Sequence, residues 1–337
     1  MRLLLPTLLV PALLSSGAFC DDGGPQSKQR AEWLYSAGWG VFTHYLSDMY
    51  LSDTEATPEK WNAIVEGVDV QALAEQLASV GAHYYVITLG QNSGYFCSPN
   101  DTYDSLVGNN PGHTSRRDLV NDLYAPLNAK GIRLMVYLPS GAPDRDAKAV
   151  KALAWERGNF RNKEFQQKWE RVIAEWSRRW GAKVAGWWFD GCYYADAMYR
   201  DPEPPNFFSL ANAARAGNAD SIVAFNPGVL VPIVCHSTEE DYTAGEIDDP
   251  AKVVCPGRFI EGVQFQMLSY LGPWWGKGEP RFSNEQVINW TLEILRKGGA
   301  VTWDLGIGQT GTLQPAALKQ LGALNQGLEA AGMNLPR

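Results

Sequence analysis

The chain has 337 residues, 45% of them hydrophobic and 20% charged, with a formal net charge of -8. That balance excludes a disordered chain, and acidity without any basic run argues against a nucleic-acid partner. Five cysteines are too few at this length to hold a disulfide framework, although Cys235 and Cys255 flank one segment and form the first pair to test for oxidation in an exported protein.

At the N-terminus, "MRLLLPTLLVPALLSSGA" combines one basic residue, an apolar run and small residues, the grammar of a signal peptide over 1–18 with cleavage after Ala18. Cys20 raises the alternative of lipid anchoring, which the bulky Phe19 before it disfavours. A short lead follows over 19–30. No later stretch has the roughly 18 uncharged apolar residues of a transmembrane segment, so an exported protein, periplasmic or extracellular, is expected.

From 31 to 337 short apolar runs alternate with helical spacing. Strands are predicted at 39–46, 82–90, 132–140, 184–190, 221–227, 260–266 and 300–306, with a doubtful one near 238–244. Helices are predicted at 69–81, where Asp69 caps and Gly81 stops; at 163–181, where Phe165, Trp169, Val172, Trp176 and Trp180 form one stripe; and at 283–298, opened by a Ser283/Gln286 capping box. The pattern predicts an α/β fold, a single TIM-like (β/α)8 barrel over 31–337. An open doubly wound sheet would advertise a glycine-rich turn after its first strand, and "THYLSDMY" stands there instead.

Barrels of this kind carry their sites at the C-terminal ends of the strands. In "GWWFDG" (186–191), period-two alternation puts Asp190 and Trp188 on one face, with Trp187 and Phe189 on the other. If the first face points inward, a carboxylate meets the barrel mouth beside an indole, an arrangement suited to sugar chemistry; the competing reading is a helix cap or the partner of a buried arginine. Glycoside hydrolysis needs a second carboxyl group. The acidic segment 236–250 offers several, each of which read alone is a solvated surface group; Glu246 stands apart behind Gly245, and Glu261 at predicted strand seven is its rival. His44, near the end of strand one, is a candidate ligand contact, whereas His83 reads as a core histidine. No histidine pattern for a metal, no nucleophile elbow and no phosphate-cradling loop occurs, so no metal or cofactor is expected. Trp188, Trp274 and Trp275 lie near predicted strand ends where they can stack on a sugar.

"WGVFTHYL", "ALAEQLASVGAHYYVITLGQNSGYF", "RRDLVNDL", "GIRLMVYLPS", "GWWFDG" and "SNEQVINWTLEILRKGGAVTWDLG" occur in one order over most of 33–320. In that order they resemble the motifs of glycoside hydrolase family 29, the α-L-fucosidases. The resemblance implies a retaining exo-glycosidase needing no cofactor, with an oligosaccharide or glycoconjugate as substrate. Asp190 matches the nucleophile. "DYTAGE" (241–246) is similar to a stretch that supplies the acid/base in some members, which favours Glu246, while others align that role near Glu261. His44 and Trp188 fall in matched motifs as sugar contacts, and Glu261 stays among the substrate contacts. Gln91 and Asn92 stand where the family has paired histidines; amides still bond hydroxyls but carry no charge. That departure keeps two alternatives open: a glycosidase acting on a sugar other than fucose, and a catalytically silent sugar-binding barrel.

Overall fold

The computed structural model describes residues 29–335. The predicted signal peptide, Cys20 and nearly all of the lead lie outside the described residues. Seven strands, β1 (Trp39–Thr43), β2 (Tyr84–Thr88), β3 (Arg133–Pro139), β4 (Gly186–Asp190), β5 (Ile222–Phe225), β8 (Gln266–Tyr270) and β9 (Ala300–Leu305), form one parallel sheet in the order β5-β4-β3-β2-β1-β9-β8. The remaining two, β6 (Phe259–Ile260) and β7 (Val263–Gln264), make a small antiparallel hairpin.

Between the sheet edges β5 and β8 runs the irregular segment 241–247. It bridges β7 and β8 in parallel at Tyr242–Gln264 and Glu246–Leu268, and Asp241 N donates to Val223 O of β5. This segment occupies the eighth position of a TIM-like barrel. It is no ordinary strand because side chains supply part of its ladder: Asp241 accepts from Val223 N at 2.9 Å, and Glu240 accepts from Phe225 N at 2.7 Å. Both carboxylates are buried, and Asp241 is paired with Arg30 and Arg215. Two of the acids in the 236–250 segment are therefore structural. Burial pushes Glu240 up to about 8, against the pull of backbone donors from Phe225, His236 and Ser237. Glu240→Ala leaves those three N–H groups without their acceptor and is expected to cost about 3 kcal/mol in urea unfolding.

Predicted strand seven is corrected. Residues 260–266 hold the hairpin, with Glu261 and Gly262 at its turn, both at positive φ, and the barrel strand begins at Gln266. The Cys235–Cys255 pair is also not formed: both are free thiols, and each bonds a carbonyl two residues ahead, Ser237 O and Gly257 O.

Alternation sorts the side chains as the sequence predicts. Phe42, Tyr84, Val86, Met135, Tyr137 and Trp188 fill the barrel interior, while Trp187 and Phe189 belong to the outer core under the helices. Helix Lys163–Trp180 buries its aromatic stripe there, each large ring removing roughly 150–250 Å² from water. Trp169 Nε1 donates to Pro139 O at 2.9 Å, fixing the end of β3 just past Tyr137. The Asp69 cap and the Ser283/Gln286 capping box are present at their helices, Val70–Ser79 and Asn284–Arg296.

Candidate active site

Asp190 ends β4 on the inward face, partly exposed at the barrel mouth. Four donors hold it. Oδ1 accepts from Gly191 N at 2.7 Å, Asn226 Nδ2 at 2.8 Å and Tyr193 OH at 3.3 Å, and Oδ2 accepts from Tyr137 OH at 2.7 Å. Gly191 turns the chain at φ 78°, a left-handed conformation natural to glycine, and so brings its own N–H back onto the carboxylate. Tyr137 is held in turn: Gln91 Nε2 donates to its hydroxyl at 2.5 Å, and its ring stacks on Trp188 at 5.5 Å with an 18° interplanar angle. Trp188 is 5% exposed and donates Nε1 to Ala244 O, so it forms a floor under the site.

Glu246 reaches the same place from the irregular segment. Gly245 directs it: at φ 63° the chain passes so close to β8 that an added Cβ would lie 2.0 Å from Gln266 O. The close approach to β8, and not flexibility, requires glycine at this position. The Asn226 amide, just past β5, spans the two acids, donating to Asp190 Oδ1 at 2.8 Å and to Glu246 Oε2 at 2.6 Å. Two such bonds at one nitrogen place those oxygens no more than about 5.4 Å apart, too close for the roughly 6.5–9.5 Å of an inverting pair and in keeping with a retaining one. Gly228 N donates to Asn226 Oδ1, which fixes the amide with its NH₂ toward the acids.

Burial, and then the charge of Asp190, push Glu246 up to about 7, while the Asn226 bond pulls it down. Asn226→Ala removes that pull, so the basic limb of the pH–rate profile is expected to move to higher pH; a limb that stays in place would show that the bridge does not act on this proton. His44, just after β1, uses Nδ1 on Asp304 Oδ1 at 2.8 Å and packs 5.8 Å from Trp275. Asp304 is fully buried and also accepts from Gly276 N, so the imidazole is oriented with Nε2 left for a ligand.

The structure thus brings Asp190, Glu246, His44, Gln91 and Trp188 to one mouth, with Asn92 lining a cavity beside Asp190. Glu261 is not among them. It sits exposed in the hairpin turn before β8, at the strand's N-terminal end, beside the loop of Cys235 and His236. Tyr137, Tyr193, Asn226, Trp275 and Asp304 complete the site; of these the sequence reading had singled out only Trp275. Trp274, the other indole proposed there, is 58% exposed. Among the described residues, no cluster of three or more His, Cys, Asp or Glu side chains is arranged to hold a metal ion, and no helix is long and apolar enough to cross a membrane.

Solved structures share this fold. The endo-fucoidan hydrolase MfFcnA4 from glycoside hydrolase family 107 superposes with a TM-score of 0.71 at 19% identity, covering 92% of this chain and 55% of its own. The alpha-L-fucosidase isoenzyme 1 from Paenibacillus thiaminolyticus gives 0.63 at 15%, covering 92% and 77%. The alpha-fucosidase from Thermotoga maritima gives 0.61 at 16%, covering 89% and 74%. At these identities the likeness is one of fold. This chain spans little more than half the length of the first of them. No curated protein sequence matches the chain. The sequence model of the alpha-L-fucosidase family matches residues 42–333, a span that takes in both acids and all of the barrel except the start of β1. The chain belongs to the alpha-L-fucosidase family of glycoside hydrolases.

Proposed function

We propose that the protein hydrolyses α-L-fucosides with retention, through a glycosyl-enzyme on Asp190. The reading is supported by the Asn226 bridge, which keeps an oxygen of each carboxyl group no more than about 5.4 Å apart, closer than an inverting pair allows. In the first step Asp190 Oδ2 or Oδ1 attacks the anomeric carbon, Glu246 gives its proton to the departing glycosidic oxygen, and the C–O bond breaks. Esterification of Asp190 then removes a negative charge that had raised the Glu246 proton affinity. Glu246 becomes the base that takes a proton from water as the water attacks and releases Asp190. His44 Nε2 and the Gln91 amide supply bonds to sugar hydroxyls, and Trp188 with Tyr137 makes the apolar floor.

Fucose is favoured by the family, while Gln91 and Asn92 permit a relative of fucose. A panel of aryl glycosides tests this: release from the α-L-fucoside above all others is expected, and no turnover of any member would favour a sugar-binding barrel. The resemblance implied exo cleavage, which requires a pocket that ends at one sugar. The open cavity beside Asp190 favours a longer cleft.

A further inference from the structure

We propose that the cleft continues past the sugar at Asp190 into a second-sugar site walled by Trp155 and Arg157, so that the enzyme accepts a fucosyl unit that is itself extended. This rests on the hydrolase reading above and adds the chemistry of the neighbouring site: a further sugar ring joined to the residue undergoing cleavage. A cavity of about 150 Å³ opens beside Asp190, lined among others by Gln91, Asn92, Asp144, Trp155, Arg157 and Tyr193. None of Asp144, Trp155 or Arg157 takes part in the double displacement.

Strand order decides which part of a substrate lies there. In one direction from Asp190 come Asn226 after β5 and Glu246 beyond it; in the other come Tyr137 of β3 and Gln91 after β2. The proton donor marks the glycosidic oxygen and its leaving group. The cavity lies on the opposite side and faces what is attached to the far end of the glycon.

Its wall is built for a sugar. Trp155 is only partly buried, and both edges of its ring are fixed: Nε1 donates to Asp144 Oδ1 at 2.5 Å, and the benzene edge lies over Gly141, where an added Cβ would come within 2.8 Å of the ring. Phe165 backs it with ring centroids 4.5 Å apart. A fixed, partly exposed indole is a surface for the C–H face of a sugar ring. Arg157 has a 65% exposed side chain and meets Asp144 only at 3.6 Å, so its guanidinium retains donors for ring oxygens.

The test uses the full chain with Asp190→Asn, which arrests cleavage, and compares by calorimetry methyl α-L-fucoside with methyl fucosyl-α-L-fucoside. The disaccharide is expected to bind roughly tenfold tighter, a gain typical of one stacked ring. Adding Trp155→Ala should bring the ratio close to one; adding Arg157→Ala, at an exposed position where folding is not at stake, should reduce it about threefold. Equal affinities, or a gain insensitive to both substitutions because the second ring lies on the Glu246 side, would overturn the proposal. Turnover of an aryl fucoside by the unmodified protein reports separately on the hydrolase reading, because it needs no second ring.

Discussion

Asp190→Ala is expected to lower kcat/KM on an aryl α-L-fucoside by roughly 10⁴-fold or more, because it removes the carboxylate assigned to form the covalent intermediate. The four donors that now meet on the carboxylate, from Tyr137, Gly191, Tyr193 and Asn226, would then surround an anion-sized space. Added azide should enter that space, attack from the nucleophile's side and give a fucosyl azide of inverted configuration. Circular dichroism of the variant checks that the barrel is intact. Full turnover without Asp190 would remove it as nucleophile and return it to the structural reading of a strand-end carboxylate.

Glu246→Ala should produce a different pattern. Substrates with poor leaving groups need the proton and should slow by about 10²–10⁴-fold, whereas activated aryl fucosides should keep most of their first-step rate. Azide should rescue again, now with retained configuration, because it intercepts the glycosyl-enzyme on Asp190. The pH dependence has a definite sign. Burial and the Asp190 charge raise Glu246 to about 7, so the acid form needed for the first step prevails below that pH and is lost above it. The unmodified protein should therefore show a basic limb near pH 7 in kcat/KM, and the alanine variant should lack it. If that limb survives in Glu246→Ala, another group is the acid.

Much of the fold was legible because it rests on local rules. Alternation separated Trp188 and Asp190 from Trp187 and Phe189, and caps and glycine stops marked the helices at 70–79, 163–180 and 284–296. The eighth barrel position was obscure since Glu240 and Asp241 lend side-chain oxygens to the β5 backbone, and charged residues in that role carry no strand pattern. At 260–266 the Glu261–Gly262 turn signal was read through as strand. The site divides in the same way. Tyr137 and Asp304 lie in strands that were recognised, and the alternation applied to Asp190 would have placed each inward, in step with Met135 and Thr302. Asn226 had only its place at a strand end. Its work lies in joining Asp190 to Glu246, carboxylates brought together by barrel closure, and no spacing along the chain encodes that meeting.

Asp190 and Glu246 are proposed to act as a retaining pair on an α-L-fucoside. Proton NMR of the first sugar released from an aryl α-L-fucoside, recorded before mutarotation, tests it most directly. α-L-Fucose is expected as the initial product, with the β anomer appearing later. Initial formation of the β anomer would show single-displacement inversion and contradict the nucleophilic role of Asp190.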